Sequence, residues 1–143
     1  MRHGKHTFKV GRTGSHRRAM MANMLKSLIE HGHLETTIVK AKELRRHADR
    51  MVTLAKENSL ASRRRAISEM RITFNSLTTK EARQVKKDGD KSSWSRDRFV
   101  MDKLFGELRL RFSERNGGYT RIVRLSDRVG DGGTSCYLEY LPA

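Results

Sequence analysis

The sequence predicts an α+β fold of two layers, with four or so helices packed on a small three-stranded mixed sheet and an extended basic N-terminal arm. Three observations lead there. Apolar residues recur at helical spacing over much of residues 15–77 and again over 98–115, the i, i+3, i+4 signature of a helix with one buried stripe. Three short runs, at 33–38, 119–125 and 135–141, are β-branched or alternate apolar with polar residues, as half-buried strands do. Residues 1–14 follow neither period.

Composition narrows the function. A chain of 143 residues is most naturally one domain with a core of its own. It divides into the arm, 1–14, and a single α/β domain, 15–143, with a longer polar insertion at about 71–97. Lys and Arg number 31 against 16 Asp and Glu, a formal net charge of +15. A compact domain with that excess repels itself and calls for an anionic partner, nucleic acid first of all. No run of about 18 apolar residues exists to span a bilayer, and the N-terminus lacks the apolar segment of a secretory signal. The single cysteine, Cys136, excludes an internal disulfide framework and fits a reducing cytoplasm. Its strand setting makes it a buried structural thiol rather than a nucleophile.

The arm carries Arg2, Lys5, Lys9 and Arg12 with His3 and His6 among glycines, and the first acid in the chain is Glu30. Such a segment cannot bury enough apolar surface to order itself. It reads as a basic arm that folds against a polyanion; a solubilising tail is the plain alternative. The first helix follows, with Ser15 as N-cap and Gly32 just past its end. Met20, Met21, Met24, Leu25, Leu28 and Ile29 share one face, opposite Asn23, Lys26, Ser27 and Glu30. His16, Arg17 and Arg18 occupy the first turn, where the helix dipole favours acids. A bound phosphate would reverse that cost, so Ser15 to Arg18 form a candidate phosphate seat.

After the strand at 33–38, a second helix over 39–58 buries Leu44, Ala48, Met51, Val52 and Ala55. Lys40, Lys42, Arg45, Arg46 and Arg50 stand off that stripe, on either a solvated face or a nucleic-acid face. Ser59 caps a third helix with Ile67, Met70, Phe74 and Leu77 as its stripe. Arg63, Arg64 and Arg65 point three ways round it, so they cannot all be packed away. Thr78 and Glu81 form a capping box for a short helix to about 87. Residues 88–97 are polar and turn-rich, and Trp94 there either pins the loop or faces a partner. The last helix, 98–115, carries Met101, Leu104, Phe105, Leu108 and Phe112 on one side and stops at Asn116-Gly117-Gly118. The two final strands suit an antiparallel hairpin whose loop includes Gly130-Asp131-Gly132-Gly133.

Motifs of catalysis do not occur. There is no P-loop and no nucleophile elbow. With one Cys and no His-Glu-x-x-His, a zinc site is not expected. Gly11-Arg12-Thr13-Gly14 has the form of a KH clamp, but no helix precedes it. The carboxylates lack an apolar setting that would tune them for acid–base work. No enzyme, cofactor or small-molecule substrate is expected.

Three longer blocks carry a resemblance. Met1-Arg2-His3 is followed by Ser15-His16-Arg17-x-Ala19-Met20 and Asn23-Met24. Thr36-Thr37-x-x-Lys40-Ala41-Lys42-Glu43-Leu44-Arg45-Arg46 runs on through Thr53-Leu54-Ala55-Lys56. The third is Leu104-Phe105-x-Glu107-Leu108-x-x-Arg111-Phe112-x-x-Arg115-x-Gly117-Gly118-Tyr119-Thr120-Arg121-Ile122, with Tyr137-Leu138-Glu139 near the end. Together they resemble the seventeenth protein family of the bacterial large ribosomal subunit. The sequence departs from that family's pattern at Val39, where proline is usual, and over 71–97, where the family has a shorter joint. The resemblance implies a structural protein on large-subunit ribosomal RNA near the outer end of the peptide exit tunnel. Neighbouring large-subunit proteins would be its other partners. On this reading Arg2, His3, Lys5, Lys9 and Arg12 thread between RNA segments while Ser15, His16, Arg17 and Arg18 seat a phosphate. Lys40, Lys42, Arg45 and Arg46 grip backbone, as do Arg115 and Arg121, with Asn23, Arg63 and Arg64 completing the surface. Gly117 and Gly118 admit RNA closely, and Tyr119 either stacks on a splayed base or belongs to the core. The alternative to a ribosomal protein is a free-standing nucleic-acid binder of the nucleoid or RNA-chaperone type.

Overall fold

The computed structural model describes residues 8–89 and 91–142, so Arg2, His3 and Lys5 of the arm lie outside the described residues. Its elements run α1 (Gly14–His31), β1 (His33–Thr37), α2 (Ile38–Glu57), α3 (Leu60–Met70) and α4 (Thr79–Asp88). Then comes α5 (Arg96–Lys103), which continues through a π-helical turn (Leu104–Leu108) and a last α-helical turn (Arg109–Arg111). The strands β2 (Thr120–Asp127) and β3 (Thr134–Tyr140) close the chain.

The sheet is antiparallel throughout, in the order β1-β3-β2, and not mixed as the sequence predicts. The cause is where β3 returns. The amide of Tyr140, at the end of β3, donates to Gly32 O, just before β1, at 3.0 Å. The two strands therefore pass in opposite senses, with Leu34 opposite Leu138 and Thr37 opposite Ser135. The alternation read in 135–141 holds. Cys136, Leu138 and Tyr140 are buried, while Tyr137 lies on the outer face. The helical layer packs on the inner face, with α2 touching all three strands.

Helix boundaries show where local signals suffice. In α2, Ala41, Leu44, Ala48, Met51, Val52, Leu54 and Ala55 are buried, a stripe that returns every three or four residues. Ser59 caps α3, its hydroxyl accepting from the Ser62 amide at 3.1 Å, and Thr78 with Glu81 forms the capping box of α4. Two expectations fail. Thr13, not Ser15, is the N-cap of α1, with no side-chain cap bond. The helix expected to run on to Leu77 stops at Met70, because Arg71 takes a left-handed conformation and Asp97 Oδ2 accepts from the Thr73 amide at 2.7 Å. Phe74 therefore leaves the core stripe and is 43% exposed.

The same carboxylate explains a buried cation. Lys26, which helical periodicity places on the polar face of α1, is only 9% exposed. Its ammonium meets Asp97 Oδ1 at 2.8 Å and Oδ2 at 3.0 Å. Burial works against the Asp97 charge, but the Lys26 ammonium and the Thr73 amide outweigh it and hold the carboxyl below the usual range. The pair locks α5 and the end of the insertion to α1. Asp97→Ala strands the ammonium beneath the loop, and we expect a loss of about 2–3 kcal/mol, between a charged hydrogen bond and a fully buried pair. Denaturant unfolding measures it. A loss within about 0.5 kcal/mol, the usual effect of a surface change, would mean the pair is solvated.

Candidate nucleic-acid interface

The basic residues come to the surface from several elements. The start of α1 presents Ser15, His16 and Arg18 exposed and Arg17 half-buried. Its first-turn N–H groups have no side-chain cap and no acid nearby in sequence, so they remain available to an anion. Arg17 and Arg18 line an open cavity of about 500 Å³ with Phe8, His47 of α2, Glu69 of α3 and Arg71 just past its end. Arg71 joins this cluster unannounced by sequence, because a continuing helix would have aimed it elsewhere.

Inside the cavity the charges are partly balanced. His47 Nδ1 donates to Glu69 Oε1 at 2.9 Å, and Arg50 stands 3.7 Å from the other Glu69 oxygen. The hydrogen bond to Glu69 raises the His47 pKa against the opposing effect of burial, and the same bond lowers that of Glu69. Glu43 lies 3.8 Å from Arg46. Lys42 and Arg45, also exposed on α2, have no acidic partner among the described residues, nor has the half-buried Lys40. Those three, with Arg17 and Arg18, are cations that no acid among the described residues pairs.

Elsewhere the predicted residues are more often engaged. Arg63 is held by Asn58 Oδ1 at 2.7 and 3.1 Å, while Arg64 is exposed without an acidic partner among the described residues. Arg121 pairs with Glu139, its cross-strand neighbour, so its charge is largely spent within the sheet. Asn23, Lys9 and Arg12 are exposed. Arg115 is exposed at the helix end, and its carbonyl accepts from Lys56 Nζ at 2.6 Å. Gly117 and Gly118 follow with φ of 138° and 61°, a left-handed path that glycine takes without strain. That turn delivers Tyr119 inward. Its side chain is 3% exposed and its ring lies 5.2 Å from that of Phe112, so Tyr119 belongs to the core and offers no face to a base. Local sequence could not decide this, since the direction of the side chain is fixed by the glycine turn and the strand it feeds.

No helix among the described residues is long and apolar enough to cross a membrane, and no group of His, Cys, Asp or Glu among them could hold a metal ion. Cys136 is buried, its Sγ 3.3 Å from Thr36 O, and burial raises its pKa. Fold and surface thus define a small basic α+β protein whose exposed cations come from several of its elements.

Comparison with known proteins makes this particular. The family model described as ribosomal protein L17 matches residues 20–141. The large ribosomal subunit protein bL17 of Chlamydia muridarum is 59% identical over 141 residues, and that of Chlamydia trachomatis serovar D is 58% identical over 141. The corresponding protein of Chlamydia felis is 55% identical. Each of these alignments spans 99% of both chains, so these relatives have room for the whole of 71–97. The chain belongs to the ribosomal protein L17 family, whose members are structural proteins and not enzymes.

Proposed function

We infer that the chain is a structural constituent of the bacterial large ribosomal subunit. It binds the subunit's RNA through the start of α1 and the exposed cations of α2, beside other large-subunit proteins and near the peptide exit tunnel. The observation that carries the contact is the set of cations on α1 and α2 that no described acid pairs, Arg17, Arg18, Lys40, Lys42 and Arg45, together with the uncapped N–H groups at the start of α1. Together they favour phosphate electrostatically and by hydrogen bonding. On the same reading the basic residues of 1–14 add phosphate contacts, as do the exposed Arg64 and Arg115.

The competing reading, a free-standing binder of nucleic acids, separates in one comparison. Purified chain is titrated with folded large-subunit ribosomal RNA and with duplex DNA of equal length at one salt concentration. The ribosomal reading expects the RNA to be bound about 10³-fold tighter or more, the usual margin of specific over non-specific binding. Comparable affinities would favour the free-standing binder instead.

A further inference from the structure

The insertion builds a second surface, which the phosphate contacts above do not use. Between α3 and α5 lies an open cleft of about 360 Å³, within the range of about 300–1,000 Å³ typical of ligand sites. Phe74 and Trp94 of the insertion line it, together with Phe105 and Gly106 of the π-helical turn. Three of the rings carry a cation. The Arg63 guanidinium lies 4.5 Å from the centroid of Phe105, that of Arg98 lies 5.2 Å from Phe74, and Lys91 Nζ lies 4.8 Å from Trp94.

This arrangement is held in place. Arg98 donates from Nε to Asn75 Oδ1 at 2.8 Å and from Nη2 to Asn75 O at 2.6 Å, while Asn75 Oδ1 also accepts from the Ser95 amide. Trp94 packs on Phe99 with centroids 5.6 Å apart. The acid of the cleft, Asp102, is paired with Lys91. A π-turn in a helix often marks a functional site, and a Cβ added at Gly106 would meet nothing within 4 Å, so the cleft is open there.

We propose that this cleft takes an unpaired nucleotide of the ribosomal RNA, its base stacked on Phe74 and the neighbouring guanidinium planes and its phosphate facing Arg63 and Arg98. Rings and arginine planes together are what a splayed base stacks on. The proposal rests on the ribosomal reading and adds a base-dependent contact to it.

Trp94 is the only tryptophan, so its emission reports the cleft. The purified full chain is titrated with a hexa-adenylate RNA and with an abasic ribose–phosphate oligomer of the same length. The hexa-adenylate should change Trp94 emission and the abasic oligomer should not. Phe74→Ala, at a half-exposed position, should weaken hexa-adenylate binding by about 5- to 150-fold, the range of one stacked base, and leave abasic binding unchanged. Phe74→Tyr should restore it. Equal binding of both oligomers by the natural chain, or an unaffected Phe74→Ala, would overturn the cleft while tight, salt-sensitive binding of large-subunit RNA stays intact. A photo-crosslinker placed at position 74 that captures protein rather than RNA in the assembled subunit would also overturn it. A natural chain that fails to bind large-subunit RNA overturns the reading beneath.

Discussion

Replacing Arg17, Arg18, Lys42 and Arg45 together by alanine should flatten the salt dependence of binding to large-subunit RNA. With six to ten phosphates engaged, the natural chain should lose about 10³–10⁵ in affinity between 50 and 200 mM salt, if the duplex relation carries over. Each phosphate contact removed lowers the log–log salt slope by about 1, so the fourfold variant should lose about 3–4 of it. The loss should be nearly uniform across RNA sequences, because contacts to the backbone position a protein without reading bases. Three of these cations, Arg18, Lys42 and Arg45, are exposed. Their removal should therefore leave the unfolding midpoint almost unchanged, or raise it slightly by easing the self-repulsion of a chain carrying +15. Arg121→Ala is the internal control. Its charge already faces Glu139, and the slope should barely move. Filter binding or fluorescence titration at four or five salt concentrations decides it; an unaltered slope in the fourfold variant would move the interface elsewhere.

Phe112→Ala should be the most damaging single change to the fold. Phe112 is 2% exposed and its ring meets Tyr119 at 5.2 Å and Tyr140 at 6.1 Å. It ties the end of the last helix to β3 and to the residue that leads into β2. Arg111 reinforces that corner by donating to the Leu141 carbonyl. Truncation there removes buried area and leaves a cavity that rigid strands cannot collapse, a cost of about 3–5 kcal/mol. At about 3–4 °C per kcal/mol for a domain of this size, the midpoint should fall by about 10–20 °C in calorimetry. RNA affinity measured well below the transition should change little, since Phe112 is buried and makes none of the proposed contacts. A midpoint within about 3 °C of the natural chain would mean that the corner repacks.

How much of this was written in the chain depends on the range of the interaction. The stripe of α2 and the alternation at Cys136, Leu138 and Tyr140 are local and periodic, and each appears where the spacing places it. The capping box from Thr78 to Glu81 spans four residues and forms as read. Antiparallel pairing of β1 with β3 joins residues a hundred positions apart, and no local signal specifies its sense. Lys26 shows the same limit, because its burial depends on Asp97, 71 positions away.

The interface divides the same way. Its chemistry was legible, since an acid-free opening stretch and a cationic first turn need no tertiary context to point at a polyanion. The accounting of charge was not. Arg121 looked free until register set it opposite Glu139, and Arg71 looked helical until the turn brought it beside Arg17 and Arg18. Trp94, with two readings open in the sequence, packs on Phe99 as the pinning reading has it, and it also lines a cleft.

Sedimentation of the tagged chain from a bacterial lysate on sucrose gradients, at moderate and at high salt, tests the central claim most directly. The account predicts stoichiometric travel with the large subunit that survives the high-salt wash. Protein left at the top of the gradient, or scattered with bulk DNA and stripped by salt, would contradict it.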